Sequence, residues 1–422
     1  MTAATSIDLR RTIIGGAAGN VLEWYDFAAY AYMAPILANL FFPSDDPFAS
    51  LIATFGAFAA GYVFRPIGGI LFGHIGDKFG RKRMLLISVL MMGLATMAVG
   101  LLPVEAQIGW PAAALLFGLR IIQGLSVGGE YGGALTFMAE HAPPHRRGLF
   151  TSIVNAGASA GFLVGAGVAA IITELFDQAT LEAWAWRVPF LVGGGVALLA
   201  LLLRRGLTEP PQPADIEPLN GLPIIVTLRE HWRDVVKVGG LYLAVNSGFY
   251  LIFVYVISYL TDIMHMPVST ATNINVFCVF LLSTVPVLFA MVGDRIGRKP
   301  MLITGLLGMI LLTYPLFLLI HHSAFWPVFL GQVGFALLFS WIFGANPAAQ
   351  TEAAPRRVRA TVLTLGTNIS MAIFGGTMPM VAAYLVHRTH DDFSPAYYLI
   401  GLACLSLIAV LFTKEMAGKT LP

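Results

Sequence analysis

The sequence predicts an all-α integral membrane fold, with twelve transmembrane helices in two pseudo-symmetric six-helix bundles. Three observations carry that prediction. The 422 residues are 57% hydrophobic and only 11% charged, with a mean hydropathy of +0.77, far more apolar than a soluble domain of this length. Apolar runs of about 20 residues or more, enough to cross roughly 30 Å of hydrocarbon, recur twelve times. Two loop landmarks also return at matching positions in the two halves.

The first six runs fall near 12–40, 48–76, 84–102, 108–139, 148–173 and 185–203. The second six fall near 236–261, 270–293, 301–320, 324–351, 360–386 and 395–413. Each is expected to be helical, because backbone facing lipid must satisfy its own hydrogen bonds. Between the sixes lies RRGLTEPPQPADIEPLNGLP, whose prolines and charges mark a linker. The chain therefore divides into a bundle at 1–203, a linker at 204–235 and a bundle at 236–422. GHIGDKFGRKR after the second run is echoed by AMVGDRIGRKP after the eighth, and EHAPPHRRG after the fourth by EAAPRRVRA after the tenth.

Basic residues fix the expected orientation. If the amino terminus is cytoplasmic, all of the 25 basic residues except Arg65, Arg120, Arg187 and Arg388 fall in the termini or in cytoplasmic loops. Both termini are thus expected in the cytoplasm, with the chain in the inner membrane. The first run is too long and too charged for a cleaved signal. Cys278 and Cys404 both lie in spans, which removes a disulfide framework.

Charges inside the spans are the strongest functional signal. An acidic residue at helix centre opposes insertion by roughly 2.5–3.5 kcal/mol, yet the first run carries both Glu23 and Asp26. At 1.5 Å per residue, Asp26 lies ~21 Å into the first run and Arg120 ~18 Å into the fourth, so both sit near mid-membrane. Asn20, Glu23 and Asp26 share a helix face with Tyr30 a turn further on, and Arg120 shares one with Gln123. A carboxylate that alternates between pairing with Arg120 and carrying a proton couples proton movement to a conformational cycle. Asp26 is the first expectation for that carrier, with Glu23 and Glu130 behind it. A static ion pair is the competing account, but such a pair is often no more stable than an apolar replacement. Arg65 is too deep to snorkel easily and is expected to pair with a carboxylate of the first helix or of a substrate. Pro66 beside it loosens the helix ladder there.

The second half has no comparable mid-span charge. It offers Tyr242, Asn246, Phe249 and Phe253 along one face of the seventh run, with Tyr250 adjacent, then Trp341, Asn346 and Gln350 in the tenth and Asn368 in the eleventh. The expectation is a division of labour, with charge chemistry in the first bundle and shape and neutral hydrogen bonds in the second. Glu140 with Arg146 and Arg147, and Glu352 with Arg356, Arg357 and Arg359, are expected as gating ion pairs that lock the fourth span to the fifth and the tenth to the eleventh.

The two GxxxDxxGRK-like loops together with RIIQG in the fourth run resemble the major facilitator superfamily over the whole chain. GNVLEWYDF, FRPIGG, QGLSVGGEYGG and WAWRVPF are similar, more narrowly, to the metabolite:proton symporters, which include citrate, 2-oxoglutarate, shikimate and proline/betaine permeases. That resemblance implies the major facilitator fold, alternating access and a latch in which Asp77 bridges to the other bundle, with Arg81, Asp294 and Arg298 as its partners and second-half counterparts.

Two arginines against two carboxylates make a nearly neutral site, and protonating one carboxylate frees a cation for an incoming anion. A small carboxylate metabolite of the citrate, dicarboxylate or 2-oxoglutarate type therefore ranks first as substrate and a zwitterionic compatible solute second, with a transport-dead membrane sensor behind both. A drug antiporter is disfavoured because GASAGFLVGAG in the fifth run has no proline. No metal-ligand, nucleotide-loop or nucleophile constellation suggests an enzyme. The expected partners are a small molecule, protons and the bilayer, with no nucleic acid, metal or cofactor, and the chain is expected to act as a monomer.

Overall fold

The computed structural model describes residues 3–45, 47–207 and 222–421. Residues 208–221 of the expected linker lie outside that set. The described chain is helical almost throughout: α1 (Ala3–Phe41), α2 (Pro47–Val63), α3 (Arg65–Phe79), α4 (Arg81–Leu101), α5 (Pro111–His141), α6 (Arg147–Leu175) and α7 (Arg187–Arg205), then the short α8 (Pro223–Glu230). The second set is α9 (Trp232–Tyr250), α10 (Val268–Ile296), α11 (Arg298–Ile320), α12 (Phe325–Ala353), α13 (Arg359–Ser370), α14 (Met378–Thr389) and α15 (Ser394–Leu411).

Ten helices among the described residues are long and apolar enough to cross a membrane. The first two expected spans are built differently. α1 is 39 residues long and carries Asn20, Glu23, Asp26 and Asn39, which dilute its hydropathy. The second is divided at Phe64 into helices of 17 and 15 residues, with Arg65 and Pro66 opening α3. Pro66 has no N–H to donate, and the start of a helix is where that loss is tolerated.

Two compact units are present, one of residues 1–137 and 157–219 and one of 138–156 and 220–422. In the first unit, α7 packs on both α1 and α4. Close approach of α2 and α3 to α5 runs through a glycine seam. A β-carbon at Gly68 or Gly124 would strike the backbone of Leu125 or Gly61, and one at Gly128 would meet the Arg65 carbonyl. Glycine is required there so that the helices carrying Arg65 and Arg120 can touch backbone to backbone. An apolar cluster of Tyr30, Met33, Phe41, Leu116, Trp186 and Phe190 closes one end of the unit.

The WAWRVPF motif sits in that cluster. Trp186 meets Phe41 edge-on at 5.4 Å, and Tyr25 Oη donates to the Pro189 carbonyl at 2.7 Å. Arg187, one of the basic residues that break the orientation pattern, donates to the carbonyls of Gly100 at 3.0 Å and Leu102 at 2.6 Å. A cation satisfying the open carbonyls at the carboxyl end of α4 is stabilised by their dipoles, which accounts for its place on that side.

The second unit is dominated by α12 packed against α10 and α11. The sequence repeat returns here as backbone geometry. Gly80, between α3 and α4, has φ 103° and ψ 152°, and Gly297, between α10 and α11, has φ 104° and ψ 155°. A side chain would strain that turn in either half. Wide π-type turns follow α9 at Leu251–Tyr255 and α13 at Met371–Gly375.

Candidate functional site

α1 carries two acids one turn apart into the core of the first unit, and their surroundings differ. Asp26 is fully buried. Its Oδ2 accepts from Arg120 Nη1 at 2.7 Å, and its Oδ1 accepts from Gln123 Nε2 at 2.7 Å and Thr96 Oγ1 at 2.9 Å. The ring is closed by Arg120 Nη1 donating to Gln123 Oε1 at 2.7 Å and Gln123 Nε2 to Thr96 Oγ1 at 3.0 Å. Both carboxylate oxygens are therefore occupied, one of them by a charge-assisted bond.

Glu23 is 1% exposed. Its Oε1 accepts from Arg65 Nη2 at 2.8 Å, but its Oε2 is buried without a hydrogen-bond partner among the described residues. Asn20, one turn earlier, is likewise buried with neither atom of its amide engaged. Buried polar atoms left open in this way are costly and mark places where a proton or ligand atom fits.

Glu130 belongs to a third buried pair whose partner the sequence reading placed in the cytoplasmic linker. Arg204, at the end of α7, is fully buried. Its Nη2 bonds Glu130 Oε1 and its Nη1 bonds Oε2 at 2.9 Å. It also donates to the carbonyls of Gly15 at 3.0 Å, Leu85 at 2.9 Å and Gly16 at 3.3 Å. Ser88 Oγ adds a bond to Glu130 Oε2 at 2.6 Å. The Arg204–Arg205 pair at a helix end reads as an ordinary positive-inside signal. Only the depth of Glu130 hinted that a cation had to come to it.

Aromatic rings surround both arginines. The Arg120 guanidinium lies 4.3 Å over the Tyr30 ring, 5.4 Å from Phe58 and 5.5 Å from Phe27. Arg65 lies 5.4 Å over Tyr62 and 5.7 Å over Phe27. Phe27 and Tyr62 are 5.0 Å apart, and Tyr30 stacks on Phe58 at 5.7 Å. Tyr30 was expected in the site, and its hydroxyl donates to Thr54 O at 3.0 Å, which leaves the ring as its contribution. Sequence reasoning missed Phe27, Phe58, Tyr62 and Thr96, since an aromatic or lone Thr in an apolar span carries no signal of its own.

In the second unit, amides replace charges. Asn346 Nδ2 donates to Leu241 O at 2.6 Å and its Oδ1 accepts from Gln350. Asn246 Nδ2 reaches Ser370 O at 3.4 Å while its Oδ1 has no partner among the described residues. Gly375 abuts the Asn246 amide, where a β-carbon would not fit. Asn368 Nδ2 donates to Thr364 O at 2.7 Å. Tyr242 and Tyr250 are both buried, and Phe249 packs on Tyr250 and on Phe253, each at 5.6 Å. Trp341 stands apart from these amides: its indole N–H goes to Met301 O at 3.0 Å and Thr304 Oγ1 at 3.1 Å, and its ring packs on Phe289.

The expected gating residues are brought together, with partners exchanged. Glu352 bonds Arg147 at 2.6 Å and Arg298 at 3.3 Å, and Glu140 bonds Arg359 at 3.0 Å. Each landmark's acid therefore pairs with the other landmark's arginine, where the sequence reading expected pairs within a landmark. Asp294 bonds Arg298 at 2.8 Å and caps α6 through the N–H groups of Gly148 at 2.8 Å and Leu149 at 3.0 Å. A carboxylate at a helix amino terminus satisfies open donors and meets the favourable end of the dipole. In the first unit Asp77 pairs with Arg81 at 3.2 Å.

The profile of the Major Facilitator Superfamily matches residues 17–293, and that of the Sugar (and other) transporter group matches 233–422. The chain is 35% identical to the glycine betaine/proline/ectoine/pipecolic acid transporter OusA of Dickeya dadantii, over 98% of this chain and 85% of that protein. It is 34% identical, over the same shares, to the proline/betaine transporter of Salmonella typhimurium. Among solved structures, the proton:xylose symporter XylE superposes with a TM-score of 0.80 at 19% identity, covering 99% of this chain and 98% of that one. The human organic anion transporter MFSD10 gives 0.67 at 17% identity, covering 95% and 99%. At those identities the structural likeness speaks for the fold.

Proposed function

This chain belongs to the major facilitator superfamily, and on that premise we propose that it is a proton-coupled symporter importing a zwitterionic solute of the proline and glycine betaine type. It is a membrane transporter and not an enzyme, as its relatives are. The sequence reading ranked a carboxylate metabolite above a zwitterion, and the relatives' substrates favour the reverse order. The observation that carries the proposal is the pair of buried arginines held among four aromatic rings.

A zwitterion has two ends to recognise. Its carboxylate competes with Asp26 for Arg120, a charge-assisted contact between a fork of donors and two oxygens. The faces of Phe27, Tyr30, Phe58 and Tyr62, which already accept guanidinium groups, suit a quaternary or secondary ammonium. The open amide of Asn20, in the same unit, supplies neutral hydrogen bonds.

Of the two acids on α1, Glu23 is the better proton carrier. Protonating Asp26 displaces donors that already fill both of its oxygens, whereas Glu23 Oε2 is open. This reverses the order in which the sequence alone ranked them. Alternating access with both termini cytoplasmic completes the proposal, with the exchanged ion pairs of Glu140 and Glu352 breaking and reforming in each cycle.

The test is uptake by proteoliposomes under an imposed proton gradient, with glycine betaine and proline offered beside citrate and 2-oxoglutarate. Accumulation of the zwitterions is expected. Accumulation of a carboxylate alone would return the site to the organic-acid reading, which the equal number of buried acids and arginines also suits.

A further inference from the structure

We propose that a small cavity between Glu23 and Glu130 holds one water molecule, and that this water and the Ser88 hydroxyl pass the coupling proton from Glu23 to Glu130. The proposal rests on the reading of the chain as a proton symporter and gives that reading an exit path.

The cavity lies within the first unit, and Glu23, Ser88, Ser126 and Glu130 supply its polar lining. The space open to a water's centre is ≈ 10 Å³, about what a single water requires, and a buried water needs two to four polar partners. Glu23 Oε2 is buried and unpartnered by any described protein group. Ser126 is already committed, donating to Gln123 O at 2.7 Å and resting on Met92 Sδ at 3.3 Å. Of the lining side chains, Ser88 Oγ touches the far carboxylate, 2.6 Å from Glu130 Oε2, an oxygen that also accepts from Arg204 Nη1 at 2.9 Å, so a proton placed there weakens that second bond.

Proton transfer along this line balances without any other reactant. The Glu23 O–H bond breaks as a new O–H bond forms on the water. The water gives a different proton to Ser88 Oγ, whose own proton moves to Glu130 Oε2, and no electrons change owner. Afterwards Glu23 is an anion beside Arg65, its 2.8 Å partner, and Glu130 is neutral. Arg204 then loses its counter-charge but keeps three backbone carbonyls, those of Gly15, Gly16 and Leu85. Those bonds hold the guanidinium in place while Glu130 carries the proton.

The charged groups bearing on the path are thus Arg65 from α3, Glu130 from α5 and Arg204 from α7. α4 contributes the neutral Ser88. Gly19 abuts Glu130 and Arg204 so closely that a β-carbon would collide with both. Glu130 is therefore level with a point one turn, ~6 Å, before Glu23 on α1. The relay runs toward the amino-terminal end of that helix, the end expected to face the cytoplasm.

Two experiments on the full chain test this. In an infrared pH titration of the purified protein, a protonated-carboxyl stretch is expected that vanishes in Glu23→Gln and shifts to higher frequency in Val127→Leu, whose larger side chain takes the water's space. Absence of that band, or a band unmoved by Val127→Leu, overturns the water site. In proteoliposomes, Ser88→Ala is expected to lower net proton-driven uptake of glycine betaine or proline at least five times further than it lowers exchange with substrate on both sides, because exchange bypasses proton release. Ser88→Thr, which keeps the hydroxyl, is expected to restore the ratio. Equal losses in the two modes, or none, overturn the relay while leaving symport standing. Wild-type uptake with no proton entry overturns symport and the relay together.

Discussion

Asp26 and Glu23 stand one turn apart on the same helix, each beside a buried arginine, and their hydrogen bonds divide them. Asp26 has a donor on both oxygens, from Arg120, Gln123 and Thr96. Glu23 has one oxygen on Arg65 and one with no partner among the described residues. A charge pair alone does not say what a buried acid does. Between these two acids of α1, the open acceptor site marks the one that takes a proton without displacing a donor.

The largest effect that breaks this comparison is on coupling. Glu23→Gln keeps the shape and the Arg65 contact but removes the proton site, and is expected to lower proton-driven uptake about 100-fold, roughly 2.7 kcal/mol in transition-state terms, with the protein still folded. Asp26→Ala is expected to act first on stability. It leaves Arg120 buried without its partner, a change that costs about 3–5 kcal/mol, read as a lowered midpoint in thermal or denaturant unfolding. If the two variants exchange these phenotypes, the assignment of anchor and carrier is reversed.

Next in size is substrate recognition. Arg120→Gln is expected to weaken binding of the transported solute by about 10- to 100-fold, the 1.4–2.7 kcal/mol of a charge-assisted contact, as read by calorimetry. Lys78→Gln, which removes a charge from the last turn of α3, is expected to leave binding within about twofold. Similar losses in both would assign the role of Arg120 to bulk charge.

The smallest effect comes from an ordinary carboxylate used as a contrast. Asp177, exposed between α6 and α7, is held below the usual carboxyl range by the Thr180 side chain and then by the Thr180 N–H, which it accepts at 3.0 Å. A group whose folded pKa is lowered stabilises the protein above its unfolded pKa and loses that contribution as pH falls through the folded value. Asp177→Ala is therefore expected to lower the melting temperature slightly at neutral pH. The gap should close in acid, below both pKa values.

Much of this was legible in the sequence. Composition and run length gave the membrane fold, and the repeated GDxxGRK loops foretold the matched turns at Gly80 and Gly297. Pro66 announced the break at Phe64, and the mid-span charges announced where the chemistry sits. What stayed hidden depended on contacts between residues far apart in the chain. Arg204 reads as a loop charge until α1 and α5 close around it. Glu140 and Glu352 each have arginines close by in sequence, and nothing local says that their partners belong to the opposite landmark. Thr96 carries no signal until Asp26 and Gln123 reach it.

The measurement that bears most directly on the central claim is proton entry into proteoliposomes loaded with a pH dye, on addition of glycine betaine, for the wild type and Glu23→Gln side by side. The account predicts that the wild-type vesicles acidify and the variant vesicles do not, although the variant still exchanges substrate. Acidification by Glu23→Gln at the wild-type rate, or a wild type that responds to citrate but not to glycine betaine, would contradict it.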